Sequence, residues 1–207
     1  MAQMKYEDIM QDLKKGKFAP VYFLMGEEPY FIDRIVDTIE KNALTAAQNA
    51  FNQSILYGKD ADLPITDHAA RRFPMMAPRQ VIIVKEAQEL KRINDLVHYI
   101  SAPANTTILV ISYKNKKLDK RTKLYTTLKK KAVLFEAKKL YDNKIPDWIT
   151  GYLKRYGFPI DLKATMMLNE YLGNDLAKIS NELDKLIIPL EKGTKILPEH
   201  IEQNIGI

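Results

Sequence analysis

The residues that follow the first apolar run occupy the position of a phosphate-binding loop. The run at residues 20–25 leads directly into Gly26-Glu27-Glu28-Pro29-Tyr30-Phe31-Ile32-Asp33. In a working loop a second glycine is followed by lysine and by serine or threonine, and these groups hold phosphates and magnesium. Apolar and acidic residues stand in those places here, and two glutamates would repel phosphate. We therefore expect a degenerate loop that does not bind ATP, comprising Gly26, Glu27, Glu28, Phe31 and Ile32.

The other groups that nucleotide hydrolysis needs are also missing from the sequence. A second strand should end in paired acids that hold magnesium and orient water. The apolar run at residues 81–84 ends instead in Lys85-Glu86. The chain has no cysteine, and its three histidines lack the spacing of metal ligands. We expect no catalytic residue, no metal site and no cofactor.

A short apolar segment bracketed by prolines could be a binding surface or part of the core. Two consecutive methionines lie between prolines in Phe73-Pro74-Met75-Met76-Ala77-Pro78-Arg79. Prolines discourage helix and favour a turn or an extended loop. Methionine is flexible and polarisable, so it adapts to an apolar groove on a partner. The alternative is that both methionines pack beneath the neighbouring helix.

Positive charge is concentrated in one segment. Between residues 114 and 131 there are nine Lys or Arg residues and one acid, whereas the remaining 23 basic and 25 acidic residues sum to −2. Such a patch can contact a phosphate backbone without sequence preference. The alternative is a solvated face or a contact with an acidic neighbour. The residues predicted to contact DNA are Lys114, Lys116, Lys117, Lys120, Arg121 and Lys123.

Strands and helices alternate through the part of the chain that carries these residues. Apolar runs predict strands at about residues 20–25, 51–57, 80–85, 106–112 and 132–136, with helices between them, among them 64–72 and 118–131. This alternation predicts an α/β fold, with a parallel sheet covered by helices on both sides. After about residue 142 only helical patterns remain. We predict an α/β domain in residues 1–140 and a small helical domain in residues 141–207.

Composition narrows the environment in which the chain works. Of its 207 residues 46% are hydrophobic and 28% are charged, which is ordinary for a globular protein. No apolar run reaches the roughly 18 residues that a membrane span needs. The polar N-terminus is unlike a secretory signal. We therefore expect a cytoplasmic protein without a membrane partner.

Several segments resemble the delta subunit family of the bacterial DNA polymerase III clamp loader. In order, the matching segments are residues 20–31, 78–82, 118–121, 173–176 and 181–186. The resemblance covers essentially the whole chain. It implies an AAA+/RecA-like first domain whose ATPase is inactive, followed by a helical lid domain. It also implies a third, C-terminal collar domain, which we expect this chain to lack.

The resemblance also implies a function. A delta subunit binds and opens the sliding clamp, the beta subunit, during DNA replication. It would catalyse no reaction itself, although the DNA polymerase III holoenzyme to which it belongs is a nucleotidyltransferase. Its partners would be the clamp, the gamma/tau and delta-prime subunits, and primer–template DNA. The family's hydrophobic pair, more often leucine with an aromatic residue, maps onto Met75 and Met76, flanked by Phe73 and Pro74. The alternatives are an active ATPase or nucleotide kinase with a divergent loop, and a DNA-binding regulator.

Overall fold

A computed structural model describes residues 4–205 of the chain. These residues divide into two compact units, with the boundary between Lys139 and Leu140. None of the described helices has both the length and the apolar composition that crossing a membrane would require.

The first unit is built on a five-stranded parallel sheet. The strand order is β2-β3-β4-β1-β5, and every neighbouring pair runs parallel. The strands β1, β3 and β4 are almost wholly buried, as expected for a sheet covered on both faces. The predicted fold class, a parallel sheet flanked by helices, is therefore confirmed. The strands are β1 (Val21–Gly26), β2 (Gln53–Tyr57), β3 (Gln80–Lys85), β4 (Thr107–Lys114) and β5 (Val133–Ala137).

Six α-helices belong to the described part of this unit, with short 3-10 turns at Ala87–Glu89 and Ile93–Leu96. The helices are α1 (Tyr6–Lys14), α2 (Pro29–Asn42), α3 (Ala46–Asn52), α4 (Leu63–Arg71), α5 (Val97–Ser101) and α6 (Lys123–Lys131). Successive strand residues point to opposite faces of the sheet. One face therefore packs against α1 and α2, and the other against α4, α5 and α6, which gives two separate apolar clusters.

Two predicted elements of this unit are present but begin later than the sequence predicts. The sequence predicts a strand over residues 51–57, but the strand begins at Gln53 and follows α3. Thr45 and Gln48 form a capping box that starts this helix. The sequence also predicts a helix over residues 118–131, yet α6 begins only at Lys123. The hydroxyl of Thr122 caps it by accepting the Tyr125 N–H at 3.2 Å.

The second unit is helical, as the sequence predicts for this region. Its helices are α7 (Ile145–Tyr156), α8 (Leu162–Leu172), α9 (Leu176–Ile187) and α10 (Pro198–Ile205). Asp161 caps α8 by accepting the Lys163 N–H at 2.9 Å. Asp175 caps α9 by accepting the N–H groups of the first turn at 3.0 Å. Apolar side chains from all four helices are buried between them, among them Ile149, Leu168, Leu183 and Ile201.

Candidate functional site

The loop after β1 has no room and few free donors for a phosphate. Gly26 has φ 131°, and a Cβ at this position would lie 2.1 Å from the carbonyl oxygen of Ala137. The N–H groups of Glu27 and Glu28 both donate to that carbonyl, at 2.8 and 3.3 Å, and the Gly26 N–H donates to Lys116 O at 3.1 Å. A phosphate-binding loop needs such amides turned toward its ligand. In this chain they are already bonded to the neighbouring backbone.

The side chains at the predicted degenerate loop serve the packing of α2. Glu28 is buried, and its carboxylate accepts the Tyr30 N–H at 3.3 Å as the cap of the helix. Phe31 packs against the ring of Tyr6, with the centroids 4.8 Å apart. Ile32 is fully buried in the sheet-facing stripe of α2. Phe31 stands where a phosphate-binding loop has its second glycine, and Ile32 stands where it has its lysine, so both positions are packed against other side chains.

A lysine from the basic segment neutralises the acids beside this loop. Lys117 Nζ lies 3.1 Å from Glu27 Oε1 and 3.3 Å from Glu136 Oε1. The hydrogen bond with Glu27, followed by that with Glu136, raises the pKa of Lys117 and keeps the ammonium charged. Lys120 Nζ reaches the other oxygen of Glu136 at 3.7 Å. The charges of Glu27 and Glu136 are thus balanced by two lysines of the same unit.

Most of the residues predicted to contact DNA are ion-paired. Besides Lys117 and Lys120, Lys114 Nζ lies 2.6 Å from Asp33 Oδ1, and Arg121 makes a two-pronged contact with Asp119. This contact lowers the pKa of Asp119, which therefore stays charged. Within residues 4–205, neither Lys116 nor Lys123 lies within ion-pair distance of an acid. Four of the six residues are engaged with acids of the same unit.

Two lysines of α6, Lys123 and Lys130, have no acid within ion-pair distance among residues 4–205. This helix contains no acidic residue and ends in three lysines. Its outward side and the preceding loop form an open depression of about 640 Å³, lined by Lys120, Tyr125, Thr126, Lys129 and Lys130. The basic side chains of this segment therefore lie partly in the loop, where most are ion-paired, and partly on α6.

The segment at residues 73–79 presents apolar side chains to solvent. Phe73 is 88% exposed, Met75 56% and Met76 97%, while Pro74 is partly buried. These values contradict the alternative that the methionines pack beneath the neighbouring helix. Met76 also adopts φ 51°, a left-handed conformation that is uncommon for a residue other than glycine. Large apolar side chains that are exposed together are typical of interaction surfaces.

The Asn52 side chain holds the middle of this segment. Its Oδ1 accepts the Met75 N–H at 2.6 Å, and its Nδ2 donates to Met75 O at 2.9 Å and to Gln48 O at 3.1 Å. Asn52 is only 4% exposed. The sequence predictions missed this residue because they placed it in a strand. The capping box at Thr45 and Gln48 was the signal that could have identified a helix ending at Asn52.

A second buried amide fixes the start of the segment. Gln80 Nε2 lies 2.6 Å from Arg72 O, 2.9 Å from Thr107 Oγ1 and 3.0 Å from Ala69 O, and its two hydrogens can serve two of these acceptors at once. The Thr107 hydroxyl in turn donates to Ala70 O at 2.7 Å. The C-terminal end of α4 is therefore tied to the first residues of β3 and β4.

Comparison with known proteins identifies the family. The family model described as "DNA polymerase III, delta subunit" matches residues 22–138, more than half of the chain. This chain belongs to the DNA polymerase III delta subunit family. DNA polymerase III subunit delta of Bacillus subtilis (strain 168) is 30% identical to this delta-family chain in an alignment of 216 positions. The alignment covers 96% of the chain and 62% of that protein.

A solved structure agrees with the family assignment. The Bacillus subtilis DNA clamp loader delta protein superimposes with a TM-score of 0.80 at 28% identity, covering 96% of this chain and 62% of that one. The delta-family chain thus spans less than two thirds of the length of the delta proteins to which it is similar.

Proposed function

We propose that this delta-family chain is a clamp-loader component that binds a sliding clamp through residues 73–79 and favours its opened form during DNA replication. The observation that carries the proposal is the exposure of Phe73, Met75 and Met76 on a segment fixed by buried amides. Membership of the delta family and the likeness to a DNA clamp loader delta protein support it. The proposed action is mechanical, since binding alone can favour one shape of the clamp.

The energetics of the segment suit an anchor that inserts into an apolar pocket. Burying a methionine side chain completely contributes about 1.5–3 kcal/mol. Met75 is 56% exposed and Met76 97% exposed in the free chain, so burying both would supply roughly 2–5 kcal/mol, and Phe73 would add to this. A few such residues commonly carry most of the binding energy of an interface. The chain can open a clamp only as far as it binds the opened shape more tightly than the closed one.

The decisive experiment measures clamp affinity after the anchor is made polar. In Met75→Ser with Met76→Ser, calorimetry with the purified sliding clamp of the same organism should show affinity reduced about 100-fold or more, since 1.4 kcal/mol corresponds to a factor of ten. The matched control is Leu162→Ser with Met166→Ser. These residues form a second exposed apolar pair, on α8, and their loss should leave clamp affinity unchanged. Equal affinity for the anchor variant and the unmodified chain would reject the proposal.

We also propose that α6 and the loop before it contact the phosphate backbone of primer–template DNA. The supporting observation is that Lys116, Lys123 and Lys130 have no acid within ion-pair distance among residues 4–205. Such contacts release condensed counterions, so the affinity would fall steeply with salt and show no sequence preference.

Salt dependence tests this second proposal. Lys123→Gln with Lys130→Gln should reduce the slope of log affinity against log salt for a duplex oligonucleotide by about 2, because each phosphate contact contributes about 0.9. Lys5→Gln with Lys41→Gln changes the net charge equally outside the basic segment, and should leave the slope nearly unchanged. Equal slopes for the two double variants would reject a specific role for α6.

The remaining readings differ in their support. Assembly with the gamma/tau and delta-prime subunits is part of the proposed function and rests on the family alone. An active ATPase or nucleotide kinase is disfavoured because the loop amides and Lys117 are already engaged. A DNA-binding regulator that uses the helical unit is disfavoured by charge, since residues 140–207 carry eight basic and ten acidic residues.

A further inference from the structure

We infer that Asn52 is a positioning residue for clamp binding, because its amide holds the Met75 peptide in the conformation that presents the apolar side chains. The inference deepens the proposed clamp-binding function, and its consequence for affinity rests on that function. The geometric part stands by itself. It concerns how a loop without regular secondary structure keeps one shape in water.

Asn52 pairs with Met75 as a neighbouring strand would. A single side-chain amide accepts from the Met75 N–H and donates to the Met75 C=O, so both backbone polar groups of this residue are satisfied. Asn52 is the last residue of α3, and Gln53 begins β2, so the backbone that carries this amide is held by a helix on one side and a strand on the other. Since Asn52 is buried, water has little access to compete for these hydrogen bonds.

The rest of the segment offers no comparable attachment. Among the described residues, no backbone-to-backbone hydrogen bond involves residues 73–79. Two prolines in the segment remove donors, and Met76 follows Met75 in a left-handed conformation that needs support from its surroundings. Asn52 provides that support in the middle of the segment, whereas Gln80 acts at its start, through Arg72 O.

Positioning of this kind raises affinity because the segment loses less conformational entropy when it binds. A loop already held in its bound shape loses less conformational freedom when it enters a pocket. Without Asn52 the segment would sample other conformations, and the methionines would be presented together only part of the time. We expect Asn52→Ala to weaken clamp binding about tenfold, mostly through faster dissociation.

Hydrogen exchange of the free chain tests the geometric part. In Asn52→Ala the Met75 amide should exchange at least about tenfold faster, while the amides of β3 and β4 keep their rates, which excludes global unfolding. Asn52→Asp keeps the acceptor for the Met75 N–H and loses the donor, so it should have an intermediate effect. Asn49→Ala removes an amide from the same helix whose Oδ1 has no hydrogen-bond partner among the described residues, and should change nothing in the segment. Unchanged exchange at Met75 in Asn52→Ala would overturn the inference.

A double-mutant cycle tests the functional part. Clamp affinity is measured for the unmodified chain, Asn52→Ala, Met76→Ala and the combination. If Asn52 acts through the apolar segment, its tenfold effect should shrink to about twofold when Met76 is truncated. A full tenfold effect in the Met76→Ala background, or no effect of Asn52→Ala alone, overturns the inference about Asn52. The clamp-binding proposal itself fails if truncating the methionines leaves affinity unchanged.

Discussion

The two edges of the parallel sheet use their backbone groups in opposite ways. At the carboxyl edge, the amides of the loop after β1 are bonded to Ala137 and Lys116, and the nearby acids are paired with lysine. At the amino edge, residues 73–79 make no backbone-to-backbone hydrogen bond with any described residue, and they expose apolar side chains. Gly26 is level with Lys114 on β4 and Gln80 is level with Thr107, so the two regions lie seven residues apart along the strand, roughly 23 Å.

This difference is unusual for an open α/β sheet. Open α/β sheets usually bind ligands at the carboxyl ends of their strands. Here that edge is closed by hydrogen bonds, ion pairs and a glycine with no space for a side chain. The exposed apolar surface lies at the other edge, where it is fixed by buried amides. Substitutions at the closed edge should therefore affect stability, and substitutions of the exposed apolar side chains at the other edge should affect binding.

The largest effect on stability should come from Gly26→Ala. The new Cβ would approach the Ala137 carbonyl to 2.1 Å in a backbone conformation that L-residues rarely adopt. Overpacking and backbone strain together should lower the free energy of unfolding by about 3–5 kcal/mol, measured by urea denaturation. Gly16→Ala is the control, because Gly16 has φ 71° but nothing within 4 Å of its Cβ position. It should lose only about 1–2 kcal/mol, and equal losses for both variants would mean that the contact with Ala137 is unimportant.

A smaller loss is expected from Gln80→Leu, at the start of the apolar segment. The substitution keeps a similar volume but removes the hydrogen bonds that the Gln80 amide, only 6% exposed, offers to Arg72 O and to the buried Thr107 hydroxyl. Losing these hydrogen bonds should lower the free energy of unfolding by about 1–3 kcal/mol. Gln11→Leu on the exposed side of α1 should change it by less than about 0.5 kcal/mol. If the two variants unfold at the same urea concentration, Gln80 does not tie α4 to the sheet.

The regions around Gly26 and Gln80 also differ in how much of their structure the sequence could predict. The strand that ends at Gly26 follows from a continuous apolar run, and the failure of the loop as a phosphate site follows from the residues that replace lysine. The sequence also singled out the methionine pair, because prolines bracket it. Local patterns of this kind carry their own physical signal.

The contacts that give each region its character could not be predicted in the same way. Asn52 and Met75 are 23 residues apart, and Gln80 and Thr107 are 27 apart, so their hydrogen bonds depend on the completed fold. The helix α3 was missed because its Ala- and Asn-rich sequence has no apolar stripe. The ion pairs of Lys117 also depend on the completed fold, because Glu136 lies on β5 and Glu27 follows β1.

Little change in stability is expected from Met76→Ser. The side chain is 97% exposed, so its removal takes almost no apolar surface from the core. The free energy of unfolding should change by less than about 0.5 kcal/mol. Met25→Ala is the contrast, since Met25 is fully buried in the sheet and should lose about 2–5 kcal/mol. A loss above about 1 kcal/mol in Met76→Ser would show that the side chain is packed in solution.

The smallest effect should be that of nucleotide on the closed edge. Because the loop amides are bonded to Ala137 and Lys116, about 1 mM ATP with magnesium should shift the melting temperature by less than about 1 °C. A site filled at 100 times its dissociation constant would add about 2.7 kcal/mol, which corresponds to a rise of roughly 5–10 °C for a chain of this size. If a rise occurs, Lys123→Gln with Lys130→Gln identifies its origin. A shift that disappears in this variant means that phosphate binds α6, whereas a shift that persists means that the loop after β1 opens to nucleotide and that the two edges are less different than their hydrogen bonds indicate.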